Sequence, residues 1–513
     1  MDKLDFTNAR VRIAPSPTGL VHIGNLRTIL YNYLFAKRYN STFIIRIEDT
    51  DRSRYVPGAL ENLLKVLHWA GIENDEGPYL TRDDKVKEKG DFGPYIQSNR
   101  LDIYKEYIKT LLEKNKAYYC FCAKERLEKL RADQTEEKQA PKYDGLCRNL
   151  TSDEVKALLK KGEPYVIRFK MPENKKVIVK DLIRGDIVVN TKDLDDYVLM
   201  KSDGFPTYHF ASIVDDHLMK ITHVMRGDEW IASTPKHVLL YEAFGWQAPV
   251  FAHLPQLLNK NKKKLSKRDG ATNVQQFIDL GYLKDALINF IALLGWNAGT
   301  EQEIYSLSEL CHQFTLDNVH KNGAIFDIEK LNWINGEYLR KLSNDEFYDY
   351  CLPYLIKNNL LTQDKDKIII NATGEKVGAS YIKNILSLEK TRIKKLAEIS
   401  SAVNYFFSDK LTYDANMLVW KKSDKGKTLQ NLTLLRESLG KLDENDFCIE
   451  KLEKHIQNFI MENSLDNGSV LWPMRFALSG VEKSPGPYEL AFALGKEKTI
   501  KRLSEAAEKI SYK

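Results

Sequence analysis

The sequence predicts an α/β fold, in which a parallel sheet is interrupted by a mixed α+β insertion and followed by a mostly helical second half. Three observations support this prediction. A strand, a sharp corner and a helix follow one another near the start. Short strands and helical patterns mix between residues 99 and 200, and helical periodicity dominates from about residue 335. At 513 residues the chain is long enough for about three to five domains.

The first element is a strand that turns abruptly into a helix. Residues 10–13 alternate polar and apolar side chains, and the prolines that follow in "RIAPSPTGLVHIGN" stop ladder pairing. From Ile23 onward, apolar residues recur at helical spacing. This places His22 and Gly24 at a helix N-terminus, where unpaired N–H groups favour a phosphate. The alternative is that His22 only caps the helix.

The later elements carry their own local markers. "YVIRFKM" and "VIVKDLIRGDIVV" read as strands within the insertion. Capping boxes at residues 151–154 and 343–346 predict helix starts.

Composition excludes several classes of protein. No apolar run approaches the ~20 residues that a membrane span needs. The six cysteines do not form a disulfide framework, and the first residues lack the features of a secretory signal, so we expect a cytoplasmic protein without membrane association. The net charge of +6 permits a polyanionic partner. Six basic residues cluster in "NKNKKKLSKR" at 259–268, which is either a solvated loop or a phosphate-binding segment.

Two motifs in order identify a family. "PSPTGLVHIGN" resembles the HIGH signature of class I aminoacyl-tRNA synthetases, in the form found in bacterial-type glutamyl-tRNA synthetases. "KLSKR" at 264–268 resembles the KMSKS loop of the same family. The stretches "RIEDTDRSRY", "QSNRLDIY" and "DGFPTYHFASIVDDHL", and residues 474–503, extend the resemblance over nearly the whole chain.

The resemblance implies a multidomain architecture: a Rossmann-type catalytic domain with an inserted acceptor-binding domain, a helical stem-contact region, and an all-α anticodon-binding half. The expected boundaries are 1–98 and 201–257 for the two catalytic halves, 99–200 for the insertion, 258–335 for the stem-contact domain, and 336–390 and 391–513 for two helical anticodon-binding domains.

The resemblance also implies an activity, namely ATP-dependent activation of glutamate and its transfer to the 3′ end of tRNA(Glu). It assigns His22 and Lys267 to catalysis. The positions expected to bind ATP are Gly19, His22, Gly24, Glu229, Trp230, Lys264, Ser266 and Lys267. The positions expected to bind glutamate are Arg12, Ser16, Glu48, Tyr208, Ser212 and Arg226. Mg²⁺ is expected to accompany ATP.

Three positions depart from the family pattern. Asn25 replaces the final histidine of the signature, and Ser212 stands where asparagine is usual. Some relatives bind zinc through a Cys-x-Cys pair and a later Cys-x-His. Here Cys120, Cys122 and Cys147 are present, but Asn149 takes the last position. We therefore do not expect zinc, unless Tyr143 or water completes the site.

The resemblance leaves two alternatives open: an enzyme that also charges tRNA(Gln), and a catalytically inactive paralogue that only binds RNA. Loss of His22 or Lys267 would be expected in such a paralogue, and both are present. A monomer is the family expectation.

Overall fold

The computed structural model describes residues 6–266, 270, 272–365 and 367–511. Two compact units form. The first comprises the described residues up to Ile278 together with Lys284–Leu331, and the second comprises Asp279–Leu283 with the described residues from Asn332 onward. No helix within the described ranges is both long and apolar enough to cross a bilayer.

The first unit is built on a six-stranded sheet in the order β2-β1-β10-β11-β7-β8. Its strands are β1 (Arg10–Ile13), β2 (Thr42–Ile45), β7 (Lys176–Asp181), β8 (Gly185–Asn190), β10 (His223–Gly227) and β11 (Val250–Leu254). All neighbours are parallel except β7 and β8, which form an antiparallel hairpin. The prediction of a sheet built on parallel strands is confirmed, and it ends in one antiparallel edge.

Smaller sheets surround this core. An antiparallel sheet contains β5 (Ala117–Cys120), β6 (Val166–Phe169) and β9 (Val198–Met200). A hairpin joins β3 (Gly77–Leu80) to β4 (Val86–Lys89), and β12 (Leu257–Leu258) pairs with β13 (Ala324–Ile325). The hairpin of β7 and β8 falls within the range predicted for the insertion but pairs with the main sheet. The predicted domain boundaries stay predictions.

Helices cover the main sheet and fill the rest of the first unit. They are α1 (Ile23–Arg38), α2 (Ala59–Ala70), α3 (Leu101–Glu113), α4 (Lys124–Glu136), α5 (Ser152–Lys160), α6 (Tyr208–Leu218), α7 (Thr234–Phe244), α8 (Val274–Asp279), α9 (Lys284–Ala292) and α10 (Leu307–Gln313). The apolar stripe of α1 at Leu26, Leu30 and Leu34 is fully buried, and α1 packs on β1 and β10. The predicted strand, corner and helix are therefore confirmed.

The second unit is mainly helical. Its helices are α11 (Ile328–Lys341, which begins in the first unit), α12 (Asn344–Lys357), α13 (Ala379–Glu389), α14 (Ile399–Phe407), α15 (Lys425–Gly440), α16 (Ile449–Glu462), α17 (Asn467–Ser479) and α18 (Pro487–Ser511). Gly495 interrupts α18 with a non-helical backbone. The capping boxes predicted at 151–154 and 343–346 are both present, at the starts of α5 and α12.

The prediction of an all-α second half is wrong in one place. An antiparallel sheet contains β14 (Leu361–Asp364), β15 (Lys367–Ile370) and β16 (Lys376–Val377). Asn359 adopts a positive φ of 57° just after α12, which turns the chain out of the helix. Three consecutive isoleucines then favour a strand because β-branched side chains pack well on a pleated surface.

Candidate active site

The corner between β1 and α1 places His22 directly at the start of the helix. The Gly24 backbone N–H donates to His22 Nδ1 at 3.1 Å, so His22 is the N-cap of α1. Because Nδ1 accepts this bond, the neutral imidazole carries its proton on Nε2. Capping uses Nδ1, so the phosphate contact expected from the sequence would use the other ring nitrogen. The two interpretations offered by the sequence are compatible with each other.

The described flanks of the KLSKR segment are both anchored in the first unit. On one side, Leu265 N–H donates to Leu257 O of β12 at 2.9 Å. On the other side, Ile23 N–H donates to Thr272 O at 2.8 Å, and Val274 N–H donates to Val21 O at 2.9 Å. Lys267 itself lies outside the described residues. The segment that follows it is thus hydrogen-bonded to the corner that carries His22.

A cavity of about 280 Å³ opens beside this corner. Ser16, Gly19, His22 and Asn25 line it from the corner, and α2 closes its far side. Glu48 N–H donates to the Pro15 carbonyl at 3.1 Å, so the predicted glutamate-binding carboxylate is on a segment tied to the same corner. The structure therefore brings the predicted ATP-binding and glutamate-binding residues of this region together.

A buried charge network holds Arg12 next to this corner. Arg12 Nε and Nη2 each lie 3.0 Å from an oxygen of Asp216. Asp216 also accepts from Arg46 at 2.6 Å, and Arg46 donates to Glu48 at 3.1 Å and to Ser212 Oγ at 3.2 Å. The charge of Arg12 is therefore already matched by a protein carboxylate.

Arg226 differs from Arg12 because its partners are neutral. It donates to Tyr208 Oη at 3.0 Å, to Thr234 Oγ1 at 2.7 Å and to His253 Nε2 at 3.1 Å, and it contacts His237 Nδ1 at 3.3 Å. No carboxylate among the described residues forms an ion pair with it, although its side chain is buried. Burial lowers the pKa of Arg226. A buried cation without a counter-ion is costly, and a substrate carboxylate would supply that counter-ion.

Burial also perturbs Glu48. It raises the pKa of Glu48 to about 6, although the nearby cations Arg46 and Arg12 act in the opposite direction. The ring of Tyr208 packs at a tilt of 38° against that of Trp230, a predicted ATP-binding residue, with 4.4 Å between the ring centroids. The carboxylate of the neighbouring Glu229 lies against Gly227, where an added Cβ would come within 2.2 Å of it. Tyr208 thus contacts both Arg226 and Trp230, and these three residues form one wall.

Sequence reasoning missed the carboxylates and histidines that organise the predicted arginines. Asp216 accepts from both Arg12 and Arg46, and Asp215 accepts from Arg100 at 2.7 Å. His253 and His237 contact Arg226. The available signal was the pair of acidic residues in "IVDDHL", which ends the buried stretch of α6 at residues 210–216, where the other residues are apolar apart from Ser212.

Three cysteines form a candidate metal centre away from this wall. Among the described residues, the Sγ atoms of Cys120, Cys122 and Cys147 lie within 4.8 Å of one another. Tyr143 Oη lies 3.4 Å from Cys120 Sγ and 3.5 Å from Cys122 Sγ. Three thiolates and one oxygen fit a four-coordinate zinc ion, whose role here would be structural. Zinc was not expected because Asn149 takes the position of the fourth ligand. Tyr143 lies where it could serve as that ligand instead, so this argument against zinc is weaker.

Comparison with known proteins agrees with the geometry. Residues 8–333 match the family of class I tRNA synthetases (E and Q), catalytic domain, and residues 346–507 match an anticodon binding domain family. The glutamate–tRNA ligase of Clostridioides difficile (strain 630) is 46% identical over 505 residues, covering 97% of this chain and 98% of the relative. The chain belongs to the glutamate–tRNA ligase family. The resemblance inferred from the two motifs is thereby confirmed.

Other members of the glutamate–tRNA ligase family match equally widely. The enzyme of Finegoldia magna is 45% identical over 510 residues, covering 98% of this chain and 99% of the relative. A crystal structure of a glutamate tRNA ligase from Elizabethkingia meningosepticum, in complex with its amino acid, superposes with a TM-score of 0.85 at 39% identity. It covers 98% of this chain and 99% of the other. The fold of the family therefore extends over nearly the whole chain.

Proposed function

We propose that this chain activates L-glutamate with ATP and transfers it to the 3′ end of tRNA(Glu), using the His22 corner, the charge network of Arg12 and Glu48, and Arg226. Membership of the glutamate–tRNA ligase family supports this reaction. The main observation in favour of this site is that Arg226 is buried and has no carboxylate partner in the described part of the chain, so its positive charge can pair with a carboxylate of the substrate. We assign glutamate binding to Arg226, Arg12, Glu48, Tyr208, Ser16 and Ser212.

Charge complementarity explains how this site would select glutamate. The substrate carries two carboxylates and one ammonium group, so it needs cations for the former and an anion for the latter. Arg226 supplies an unmatched cation. Arg12 shares its charge with Asp216, and Glu48 supplies the anion for the ammonium group. Glu48 is largely ionised at neutral pH because its pKa is about 6.

Activation itself requires little covalent work from the protein. The α-carboxylate attacks the α-phosphorus of ATP, a bond forms between them, and pyrophosphate leaves with the electron pair of the broken P–O bond. Rate enhancement then comes from positioning and from stabilising the developing charge. In our proposal His22 Nε2–H donates to the α-phosphate, Lys267 binds the departing phosphates, and Glu229, Trp230, Gly19, Gly24, Lys264 and Ser266 surround the nucleotide. Mg²⁺ accompanies ATP.

The partners follow from the reaction: tRNA(Glu), glutamate and ATP, with a monomeric enzyme acting in the cytoplasm. The helical second unit, matched to an anticodon binding domain family, supports tRNA as the macromolecular partner. Charging of tRNA(Gln) as well is the second candidate function. Assays with purified glutamate and glutamine isoacceptors separate the two.

The proposal is tested by ATP–pyrophosphate exchange with glutamate in the presence of tRNA. His22→Ala should lower the rate at least about 100-fold, because it removes a donor to the transition state. Arg226→Gln should raise the KM for glutamate by about 30-fold or more, which corresponds to a loss of ~2 kcal/mol or more for an unpaired buried carboxylate. Arg10→Gln is the matched control, since Arg10 pairs with Glu76 elsewhere. Exchange at the wild-type rate in His22→Ala would refute the catalytic assignment.

A further inference from the structure

We propose that His253, oriented by Asp181, is a positioning residue that holds Arg226 ready for the substrate carboxylate. This inference rests on the proposed function, in which Arg226 binds that carboxylate. Neither His253 nor Asp181 belongs to the set of residues that the sequence assigned to the site.

The three residues lie on three adjacent strands of the main sheet. Arg226 on β10 and His253 on β11 are direct register partners, and β11 pairs in turn with β7, which ends at Asp181. Side chains of register partners point to the same face of a sheet. Arg226 Nε therefore meets His253 Nε2 at 3.1 Å, and His253 Nδ1 lies 2.6 Å from Asp181 Oδ2.

Asp181 is itself fixed by the backbone. Its Oδ1 accepts from the backbone N–H of Ile183 at 3.0 Å and of Arg184 at 2.8 Å. The backbone N–H of His253 also donates to Oδ2 at 3.1 Å. With these donors in place the carboxylate cannot rotate freely, so it presents Oδ2 to the imidazole in one orientation.

This orientation determines which ring nitrogen of His253 carries the proton. A carboxylate can only accept, so His253 Nδ1 must donate to it. In the neutral imidazole Nε2 is then left as an acceptor, which is what the Nε–H of Arg226 requires. Burial lowers the pKa of His253, and this keeps the ring neutral.

A neutral ring between the two charges has a specific advantage. A carboxylate in direct contact with Arg226 would fix the guanidinium but would also cancel its charge, as Asp216 does for Arg12. The imidazole fixes the guanidinium through a hydrogen bond and leaves the positive charge available for the substrate. The Asp181–His253 pair therefore gives orientation without neutralisation.

The test is steady-state glutamylation of tRNA, with glutamate varied at saturating ATP and tRNA and then ATP varied at saturating glutamate. His253→Leu removes the acceptor and should raise the KM for glutamate by about 10- to 100-fold, by analogy with the loss seen when the hydrogen-bond partner of a metal-binding side chain is removed. The KM for ATP should stay within about twofold, because a change confined to orientation affects only one substrate.

Two conservative variants test the chemistry of the contact. His253→Gln keeps an oxygen acceptor near the position of Nε2 and should restore most of the affinity for glutamate. In Asp181→Asn, the backbone N–H groups of Ile183 and Arg184 still need an acceptor, so the side-chain oxygen faces them and the side-chain NH₂ group faces His253. The amide donates to Nδ1, the proton moves to Nε2, and the KM for glutamate should rise as in His253→Leu.

His223→Leu is the matched control. His223 lies on β10 three residues before Arg226, is also buried, and bonds to Thr222 Oγ1 at 2.8 Å. It should lose stability without a selective change in the KM for glutamate. The inference is overturned if His253→Leu matches this control, or if the KM values for both substrates rise together. If His253→Leu fails to fold, the test compares the two remaining variants. The inference is then overturned if the KM for glutamate of Asp181→Asn is no higher than that of His253→Gln.

Arg226→Gln in the same assay separates the role of Arg226 in binding glutamate from the role of His253 in positioning Arg226. If it leaves the KM for glutamate unchanged, the assignment of Arg226 in the proposed function is wrong, and the role of His253 is wrong with it. If Arg226→Gln raises the KM while His253→Leu does not, only the role of His253 is wrong.

Discussion

Asp216 joins two arginines of the buried charge network. Its two oxygens accept from Arg12 at 3.0 Å twice and from Arg46 at 2.6 Å. Three cations (Arg12, Arg46 and Arg100) face three carboxylates (Glu48, Asp215 and Asp216), so the network is balanced. Asp216→Asn removes one negative charge and turns an amide donor toward guanidinium donors, leaving one uncompensated cation in a region without solvent.

The expected cost is about 3 to 5 kcal/mol, the range for removing one partner of a buried ion pair. At ~2 °C per kcal/mol for a unit of this size, the unfolding midpoint of the first unit should fall by about 6 to 10 °C. Calorimetry measures this midpoint, and the transition that ATP shifts upward belongs to the first unit because a ligand stabilises the unit that binds it.

Asp84→Asn provides a control that changes the same chemical group at an exposed site. Asp84 pairs with Lys65 at 2.8 Å, both side chains are more than half exposed, and its φ of 58° suits asparagine. This variant should cost less than about 1 kcal/mol. If Asp216→Asn shifts the midpoint no more than Asp84→Asn does, the network does not stabilise the unit as argued.

Three further predictions follow from individual contacts. The folded-state pKa of Glu48 is about 6, above its ordinary value of 4.5, so its stabilising contribution is full below pH 4.5 and is lost as pH rises through 6. In urea titrations, the free energy of unfolding of Glu48→Gln relative to that of wild type should therefore rise by up to about 2 kcal/mol between pH 4.5 and pH 7. If the difference between the two proteins is the same at both pH values, this pKa is contradicted. Metal analysis of the purified chain should find no zinc, because Asn149 takes the fourth ligand position; one zinc per molecule that is lost in Tyr143→Phe but kept in the control Cys311→Ser would instead show that Tyr143 completes the site. Gly77→Ala should lower the free energy of unfolding by about 2 kcal/mol or more, because the new Cβ would lie 2.1 Å from Ile45 O at a φ of 111°. In the control Gly185→Ala the new Cβ meets no atom within 4 Å, so thermal unfolding of the two variants should show a smaller loss of stability for Gly185→Ala.

The sequence predicted the features that depend on neighbouring residues. The strand, corner and helix at residues 10–38 follow from local periodicity and prolines, and both capping boxes follow from a four-residue pattern. The family motifs located His22, Arg12, Glu48 and Arg226. The structure places Arg12 and Glu48 in one buried charge network and ties Glu48 to the corner that carries His22.

Features that depend on distant pairings could not be obtained in this way. Arg12 and Asp216 are 204 residues apart, and nothing local shows that they share a bidentate contact. The roles of His253 and Asp181 depend on the register of three strands, which a single sequence does not give. Tyr143 was offered only as one option for the metal centre, because a fourth ligand on a loop is recognised by position and not by spacing.

The strand order of the main sheet has a consequence for synthesis on the ribosome. β1 pairs with β2 soon after both are made, but its other neighbour is β10, and the contact from Arg10 N–H to Thr222 Oγ1 spans 212 residues. At ~5 to 20 residues per second, about 10 to 40 s pass before that neighbour is translated. During this interval the nascent chain carries an unpaired sheet edge, which is a template for association with other emerging chains. The period in which this edge can pair with another chain therefore lasts from the translation of β2 until that of β10.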